Sequence, residues 1–308
     1  MAESAVPAPD IDLFRPRRRR FQGVRQSVRL LLRYPVIPLT IWALVILFAL
    51  ASPQVAPHDP FRLALQDRLI PPAWEDGGSL DHLLGTDHLG RDIFSRIVYS
   101  SRVTVVVVSL TVTAAALIGT FVGLVAGYFG GVFDAVLMRL VDFQIALPSI
   151  LFAVMLATVL QPGLRNLIFI IIFFFWAAFA RLVRAEVLSL RERPFVELSR
   201  VAGASWIRIF WKHLFPNVLS TVLVIATLEV SSVIVFESSL SFLGLGVTPP
   251  TVSWGQMLAE GREYMTVAWW IVTIPGLAIF IVALSGNLFG DWLRDTLDPH
   301  LRRAGEGL

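Results

Sequence analysis

The feature that most limits this chain is a stretch from Val103 to Phe133 that contains no charged residue. A helix needs about 20 consecutive apolar residues to cross a bilayer, so this stretch is long enough to cross it and continue beyond. Other apolar stretches occupy residues 36–51, 143–160, 166–180, 218–235 and 267–289. Because backbone groups inside lipid must be hydrogen-bonded within the protein, we predict an all-α polytopic membrane protein with six transmembrane helices.

The placement of charge predicts the orientation of these spans. Hydrophobic residues make up 56% of the sequence and charged residues 16%, which excludes an ordinary soluble domain. The run Arg17–Arg20 precedes the first span, and basic residues near spans normally stay in the cytoplasm. The segment 53–101 is rich in proline and acidic in its middle, as expected of a loop on the other side. Six spans then place both termini in the cytoplasm.

These features divide the chain into segments. Residues 1–34 are predicted to form a basic cytoplasmic N-terminus that attracts anionic lipid, 35–52 the first span, and 53–101 an external loop. Residues 102–299 form the core of spans two to six, with a polar insert at 194–216, and residues 300–308 form a cytoplasmic tail. The absence of cysteine excludes disulfides, thiol catalysis and cysteine-bound zinc.

The polar insert at 194–216 is predicted to form two short helices joined by a tight turn. Pro194 suits the first turn of a helix, Gly203 a left-handed end, and Ser205 the cap of the next helix. The first helix is expected to be amphipathic, with Glu197 and Arg200 on its polar side. The expected apolar side holds Phe195, Leu198, Val201 and Ala202.

Two other interpretations fit the insert alone. Two helices around an Ala-Gly-x-Ser turn among basic residues also match a DNA-binding helix-turn-helix, and an interfacial amphipathic loop is the other alternative. The nucleic-acid interpretation is disfavoured because the insert is held between two spans. We therefore predict no nucleic-acid partner.

The external segment contains a motif, Gly85-Thr86-Asp87 followed by Gly90-Arg91-Asp92, with glycines at turn positions. Asp87 or Asp92 is predicted to cap the helix that follows. His58, His82 and His88 lie in the same segment, but their spacing fits no metal-ligand template. They are interpreted as surface or capping histidines, and we predict no metal site.

Two features inside the spans carry further predictions. Gly119, Gly123 and Gly127 recur at every fourth position, a small-residue stripe that allows another helix to approach closely. Glu229 lies within the fifth span, and Glu237 lies two turns later near its outer end. Because a carboxyl group in lipid is costly, both glutamates are candidates for the lining of a translocation pathway.

Four segments together resemble permeases of ATP-binding cassette importers, specifically the C-type permease of the dipeptide, oligopeptide and nickel family. The 85–92 motif is similar to that family's external signature, and Glu197, Gly203 and Pro216 occupy marked positions of its cytoplasmic EAA loop. The usual Glu-Ala-Ala appears here as Glu197-Leu198-Ser199. The remaining similar segments are 237–255 and 290–299.

This resemblance implies a type I importer permease fold in the bacterial cytoplasmic (inner) membrane. It implies a second homologous permease, two ATPase subunits that bind ATP and Mg, and an extracytoplasmic solute-binding protein. This chain itself lacks a phosphate-binding loop, so no cofactor and no catalytic residue are expected in it. The residues that the resemblance assigns to coupling with the ATPases are Glu197, Ala202, Gly203, Ala204 and Pro216.

The substrate stays open at this point. Peptides are what the resemblance implies first, but relatives on the same scaffold carry nickel, glutathione, opines or oligosaccharides. An ion-coupled secondary transporter is disfavoured because, of the ionisable residues, only Glu229 lies deep within a span. An intramembrane enzyme is disfavoured because no predicted span contains a histidine or a paired nucleophile and base.

Overall fold

Helices carry most of the chain in the computed structural model, which describes residues 35–297. The helices are α1 (Val36–Val55), α2 (Ile93–Phe129), α3 (Gly131–Ala146), α4 (Ser149–Leu160), α5 (Leu164–Arg191), α6 (Pro194–Val201), α7 (Trp206–Phe242), α8 (Trp254–Gly261) and α9 (Trp270–Leu297). The predicted N-terminal segment 1–34 and the tail 300–308 lie outside the described residues. Within residues 35–297, the only strand-type pairing is an isolated bridge between Thr86 and Asp92, so the all-α fold is confirmed.

Five helices, α1, α2, α5, α7 and α9, are each long and apolar enough to cross a membrane. A sixth crossing is possible only if α3 and α4 together count as one span, and these two helices meet at an angle of 91°. The predicted third span, 143–160, is therefore not one continuous helix but is interrupted at Leu147 and Pro148. The cause is local, because Leu147 precedes Pro148 and is extended (φ −73°, ψ 135°). A residue before proline is driven out of the helical region.

The ends of other spans also differ from the sequence-based boundaries. Helix α2 begins at Ile93, so the last residues of the predicted external loop 53–101 belong to a helix. Helix α1 continues past a non-helical residue, Ala51, to Val55. Helix α9 continues to Leu297, so most of the 290–299 motif is helical. Helix α5 continues past Arg181 and Arg184, beyond the predicted apolar stretch 166–180, and ends at Arg191.

The glycine stripe of α2 packs directly against α5, which confirms its predicted role in packing. A Cβ atom on Gly119 would lie 2.3 Å from the carbonyl oxygen of Trp176, and one on Gly123 would lie 2.7 Å from that of Ala180. A Cβ atom on Gly127 would lie 2.8 Å from Val187. No side chain fits at these distances, so the two backbones touch only because the three residues are glycines.

Substitution of Gly119 by alanine is expected to destabilise the protein by about 1–3 kcal/mol or more, since the obstacle is backbone rather than a flexible side chain. A lower midpoint of thermal unfolding in detergent is the measurement. Gly276→Ala in α9 is the matched control, because its added Cβ meets only Leu258 at an ordinary 3.8 Å. Equal midpoints for the two variants would contradict the close packing of α2 on α5.

The contacts define two ends of the helical body. At the long-loop end, the loop of residues 56–92 meets α8 and the start of α9, where Trp270 Nε1 donates to the Thr86 carbonyl at 3.0 Å. At the insert end, the 194–216 insert meets the ends of α2 and α5, where Arg191 Nη1 donates to the Gly127 carbonyl at 2.9 Å. Helix α7 connects the two ends, so the long loop and the insert lie on opposite sides of the spans.

Candidate functional site

The local structure of the 194–216 insert agrees with its sequence. Helix α6 starts with Pro194 in its first turn and is followed by Gly203 in a left-handed conformation with φ +76°. The Ser205 side chain then accepts a hydrogen bond from the Arg208 backbone N–H at 3.4 Å. Both the turn and the cap were predicted, and both are confirmed.

The second short helix predicted in the insert is not separate. It is the first part of α7, which passes through one π-helical turn at Phe210–Leu214 before continuing to Phe242. The turn lies immediately before Pro216, whose ring nitrogen has no hydrogen to donate. A single wide turn of this kind lets the helix continue past the proline.

The surface of α6 is open to solvent. Its only buried residue is Val196, and the expected apolar side is exposed, with Leu198 at 68% and Val201 at 83%. Glu197, Ala202, Gly203 and Pro216 are also exposed, and Ala204 is half-buried. In the described part of the chain, the Glu197 carboxylate has no ion pair or hydrogen bond, so it is available to another protein.

The underside of the insert is fixed firmly to the spans. Val196, Ile209, Phe210 and Leu214 join one buried apolar cluster with residues of α2, α3 and α5. The Arg200 guanidinium lies over the Tyr128 ring at 4.8 Å from its centroid. One side of the insert is thus packed against the spans, and the other side is exposed.

The residues of the 85–92 motif stabilise the fold of the long loop and do not form an exposed surface. A Cβ on Gly90 would lie 1.8 Å from the carbonyl oxygen of Ala64, and both Gly85 and Gly90 have positive φ. The buried Thr86 hydroxyl accepts from the Ile70 N–H at 2.9 Å. Asp92 caps α2 by accepting from the Ser95 N–H at 2.8 Å. Of the two aspartates proposed as the cap, the structure selects Asp92.

Asp87 instead belongs to an ion cluster formed by Asp87, Arg91, Arg96 and Glu260. Arg91 Nε lies 2.7 Å from Asp87 Oδ2, and Arg96 Nη1 donates to the same oxygen. Both guanidinium groups also reach Glu260 Oε2, Arg91 at 2.6 Å and Arg96 at 2.9 Å. Two carboxylates and two guanidinium groups balance in charge, so the cluster joins the long loop and α2 to α8.

Charge inside this cluster shifts the titration of its acids. Burial would raise the pKa of Asp87, but the Arg96 and Arg91 guanidinium groups and two backbone N–H groups outweigh it and hold that pKa below 3.8. The pKa of Glu260 is likewise lowered from 4.5, since the two arginines outweigh its burial. Both acids therefore stay ionised at neutral pH.

Acid is expected to weaken the attachment of the long loop. A carboxylate with a depressed pKa contributes stability that is present above its unfolded value and is lost as pH falls through its folded value. The free energy of unfolding should therefore stay constant as the pH is lowered to about 4.5, and it should decrease at pH values below 3.8. Unfolding midpoints across this range test it, with Glu263→Gln, an exposed neighbour, expected to follow the wild type. A flat profile below pH 3.8 would contradict the cluster.

Sequence reasoning did not find Glu260. It lies 169 residues from Arg91 and has no motif around it, so only the packing of α8 brings it to the cluster. Arg96 lies four residues after the 85–92 motif, and nothing in the sequence indicated its partners.

The two glutamates proposed for the pathway differ in their surroundings. Glu237 is 3% exposed and accepts hydrogen bonds from the Ser241 hydroxyl at 2.7 Å and the Ser238 hydroxyl at 3.3 Å. Glu237 is therefore buried near the start of α8 and does not line an open surface of this chain. Glu229 is half-buried. Of the two, Glu229 stays a candidate for the pathway.

The fold and the insert define a membrane-spanning transport component, and comparison with known proteins agrees. Residues 119–303 match the family described as the binding-protein-dependent transport system inner membrane component. This match covers more than half of the chain. The protein therefore belongs to that family and is a permease subunit of an ABC importer.

Curated relatives cover most of the chain. It is 42% identical over 261 residues to the di/tripeptide transport system permease DppC of Pseudomonas aeruginosa, with 85% of this chain and 86% of the relative covered. It is 40% identical over 271 residues to the dipeptide transport system permease DppC of Haemophilus influenzae, covering 88% of this chain and 92% of the relative. The DppC of Escherichia coli K12 is 42% identical over 268 residues, 87% of this chain and 89% of the relative.

A solved structure has the same fold. A chain of the MetNI methionine ABC transporter in an inward-facing conformation superimposes with a TM-score of 0.52 at 18% identity. The match covers 66% of this chain and 97% of the other. At this identity the likeness concerns the fold alone.

Proposed function

We propose that this chain is the C-type permease of an ATP-driven importer of di- and oligopeptides in the bacterial inner membrane. The observation that supports a peptide substrate is the 40–42% identity to dipeptide and di/tripeptide permeases over most of both chains. The insert end faces the cytoplasm and the long-loop end faces outward. The charge pattern of the sequence supports this orientation, with the acidic middle of the long loop outside.

The importer contains four further subunits besides this chain. A second, homologous permease completes the translocation pathway, of which this chain supplies half. Two ATPase subunits bind ATP and Mg and carry out hydrolysis, while this chain catalyses nothing. An extracytoplasmic solute-binding protein delivers the peptide to the long-loop end.

The 194–216 insert couples the ATPases to the spans. Glu197 makes a polar contact with an ATPase subunit, and Gly203 shapes the turn. The small side chains Ala202 and Ala204 allow close approach, and Pro216 marks the point where the insert joins the span. The exposure of Leu198 and Val201 supports this proposal, since an apolar face next to an unpaired carboxylate suits a protein partner.

Closure of the ATPases on ATP then moves the insert, and the pathway opens alternately to each side. The continuous helix from Trp206 to Phe242 supports this step because it extends from the insert to the long-loop end. The π-helical turn before Pro216 leaves the helix unbroken, so displacement at the insert is transmitted along it.

The experiment is to purify the tagged chain from native membranes in mild detergent and identify what accompanies it. We expect stoichiometric recovery of a second permease and of ATPase subunits. The binding protein encoded with them should bind dipeptides more tightly than nickel, glutathione or oligosaccharides. Recovery of a folded chain alone would contradict the complex, and tighter binding of another solute would contradict the peptide assignment.

A further inference from the structure

Two of the three histidines of the long loop lie together, although their spacing in the sequence suggested nothing. His58 follows α1, His82 lies in the long loop, and both rings approach Asp92, the cap of α2. One donor atom from each residue lies within 4.8 Å of the other two. The ring centroids of His58 and His82 are 4.7 Å apart. The third histidine, His88, is elsewhere, stacked on Tyr264.

The nitrogen atoms that point to this cluster include one with no partner. His82 Nδ1 lies 3.0 Å from Asp92 Oδ1, at hydrogen-bond distance. His58 Nδ1 lies 3.9 Å from Asp92 Oδ2, and within residues 35–297 this buried atom has no hydrogen-bond partner. Buried polar atoms are normally satisfied, so this nitrogen is free to bind a ligand beside the carboxylate.

Within residues 35–297, no arginine or lysine balances the negative charge of Asp92. Asp92 is 2% exposed, and the two histidines beside it are cations only when protonated. The nearby arginines, Arg91 and Arg96, are engaged by Asp87 and Glu260 instead. Part of the negative charge is offset by the Ser95 N–H and by the positive end of α2.

The three residues border a cavity of about 580 Å³. Its other charged residues are Asp59, Asp67, Asp81 and Arg62. With Asp92 included, four carboxylates face one guanidinium group, so the formal charge of the cavity wall favours a cation. The opening towards the cavity leaves room for a water molecule as a further ligand.

We propose that His58, His82 and Asp92 bind a Zn²⁺ ion. Two imidazole nitrogens and one carboxylate oxygen are ligands that zinc accepts, and three protein ligands with a water complete a tetrahedral site. Bonds of about 2.0–2.1 Å put ligand atoms roughly 3.3 Å apart. The two histidine nitrogens lie 3.0 and 3.9 Å from Asp92 oxygens and all three ligand atoms lie within 4.8 Å of one another, so the ligands would draw together on binding. On binding, His82 coordinates through Nδ1 as the neutral tautomer with its proton on Nε2, and its hydrogen bond to Asp92 becomes shared coordination.

The ion ties three separate parts of the chain together. His58 is anchored through its backbone N–H, which donates to the Ser95 hydroxyl at 3.1 Å, and that hydroxyl donates to Asp92 at 2.7 Å. Zinc would fasten the end of α1 and the long loop to the start of α2. This role does not depend on which solute is transported.

Zinc binding is tested on the full chain, purified without a polyhistidine tag and stripped with a chelator. Competition with a chromophoric chelator should give one tight Zn²⁺ site per chain, and zinc should raise the unfolding midpoint. His58→Gln and His82→Gln should each weaken binding by about tenfold or more. His88→Gln is the matched control from the same loop and should bind like the wild type.

Cobalt substitution supplies a readout that does not depend on stability. The Co²⁺ form should show a tetrahedral absorption band in the wild type and in His88→Gln, and lose it in His58→Gln. If His82→Gln does not fold, His58→Gln decides alone, because the backbone rather than the side chain of His58 makes its hydrogen bond to Ser95. A wild type that binds no zinc, or equal affinity in His58→Gln, would overturn the proposal.

Discussion

Replacing Arg96 by methionine is expected to lower the free energy of unfolding by about 3–5 kcal/mol, the usual cost of removing one partner from a buried ion pair. Arg96 is 3% exposed and contacts both Asp87 and Glu260. Methionine fills a similar volume without charge, so the loss comes from two acids left with only Arg91. Thermal unfolding of the purified protein is the measurement.

Arg102→Met is the control for this change. Arg102 is an exposed arginine on the same helix, and its Nε donates to the neutral carbonyl of Ala49 at 2.9 Å. We expect its substitution to cost about 1–1.5 kcal/mol, less than Arg96→Met, because Arg102 is exposed and loses a single hydrogen bond to a backbone carbonyl. Similar destabilisation by the two variants would show that the ion cluster is not what holds the long loop to α8.

Substitution of Gly203 by aspartate is expected to leave membrane insertion intact and to uncouple ATP hydrolysis from transport. No atom lies within 4 Å of a Cβ built at Gly203, so the side chain meets no obstacle in this chain. Its φ of +76° disfavours most residues, but aspartate and asparagine tolerate this region better than others. The damage is therefore expected at the exposed surface of the insert, where the substitution adds a negative charge.

The measurement uses the reconstituted importer in proteoliposomes, with uptake and ATP hydrolysis followed together. Uptake by Gly203→Asp should fall by about tenfold, which corresponds to roughly 1.4 kcal/mol of lost coupling, while the amount of inserted chain stays within about twofold. Gly203→Asn places a side chain of similar size in the same left-handed backbone conformation but adds no charge, so this variant should retain most of the uptake. Wild-type uptake by Gly203→Asp would rule out the insert as the coupling element.

Some features of the candidate sites could be predicted from neighbouring residues. The effects of Pro194, Gly203 and Ser205 on the backbone extend over only a few residues. The start of α6, its turn and the following cap could therefore all be predicted. The stripe of Gly119, Gly123 and Gly127 was also interpreted correctly, because a run of small residues on one helix face has few other uses. The continuation of α7 through Pro216 was missed, since a π-helical turn has no clear sequence signal.

The sequence by itself determined the long apolar helices and their approximate ends, except for the break before Pro148, and it determined the position of the insert in the chain and the family. These follow from hydropathy, from local backbone preferences and from short motifs, all of which are properties of adjacent residues. Only the tertiary structure decided that Glu260 completes the ion cluster, that Glu237 is buried, and that His58 and His82 meet at Asp92. The physical reason is that such clusters form between segments far apart in the chain. Their distances are set by how the helices pack, which no local pattern records.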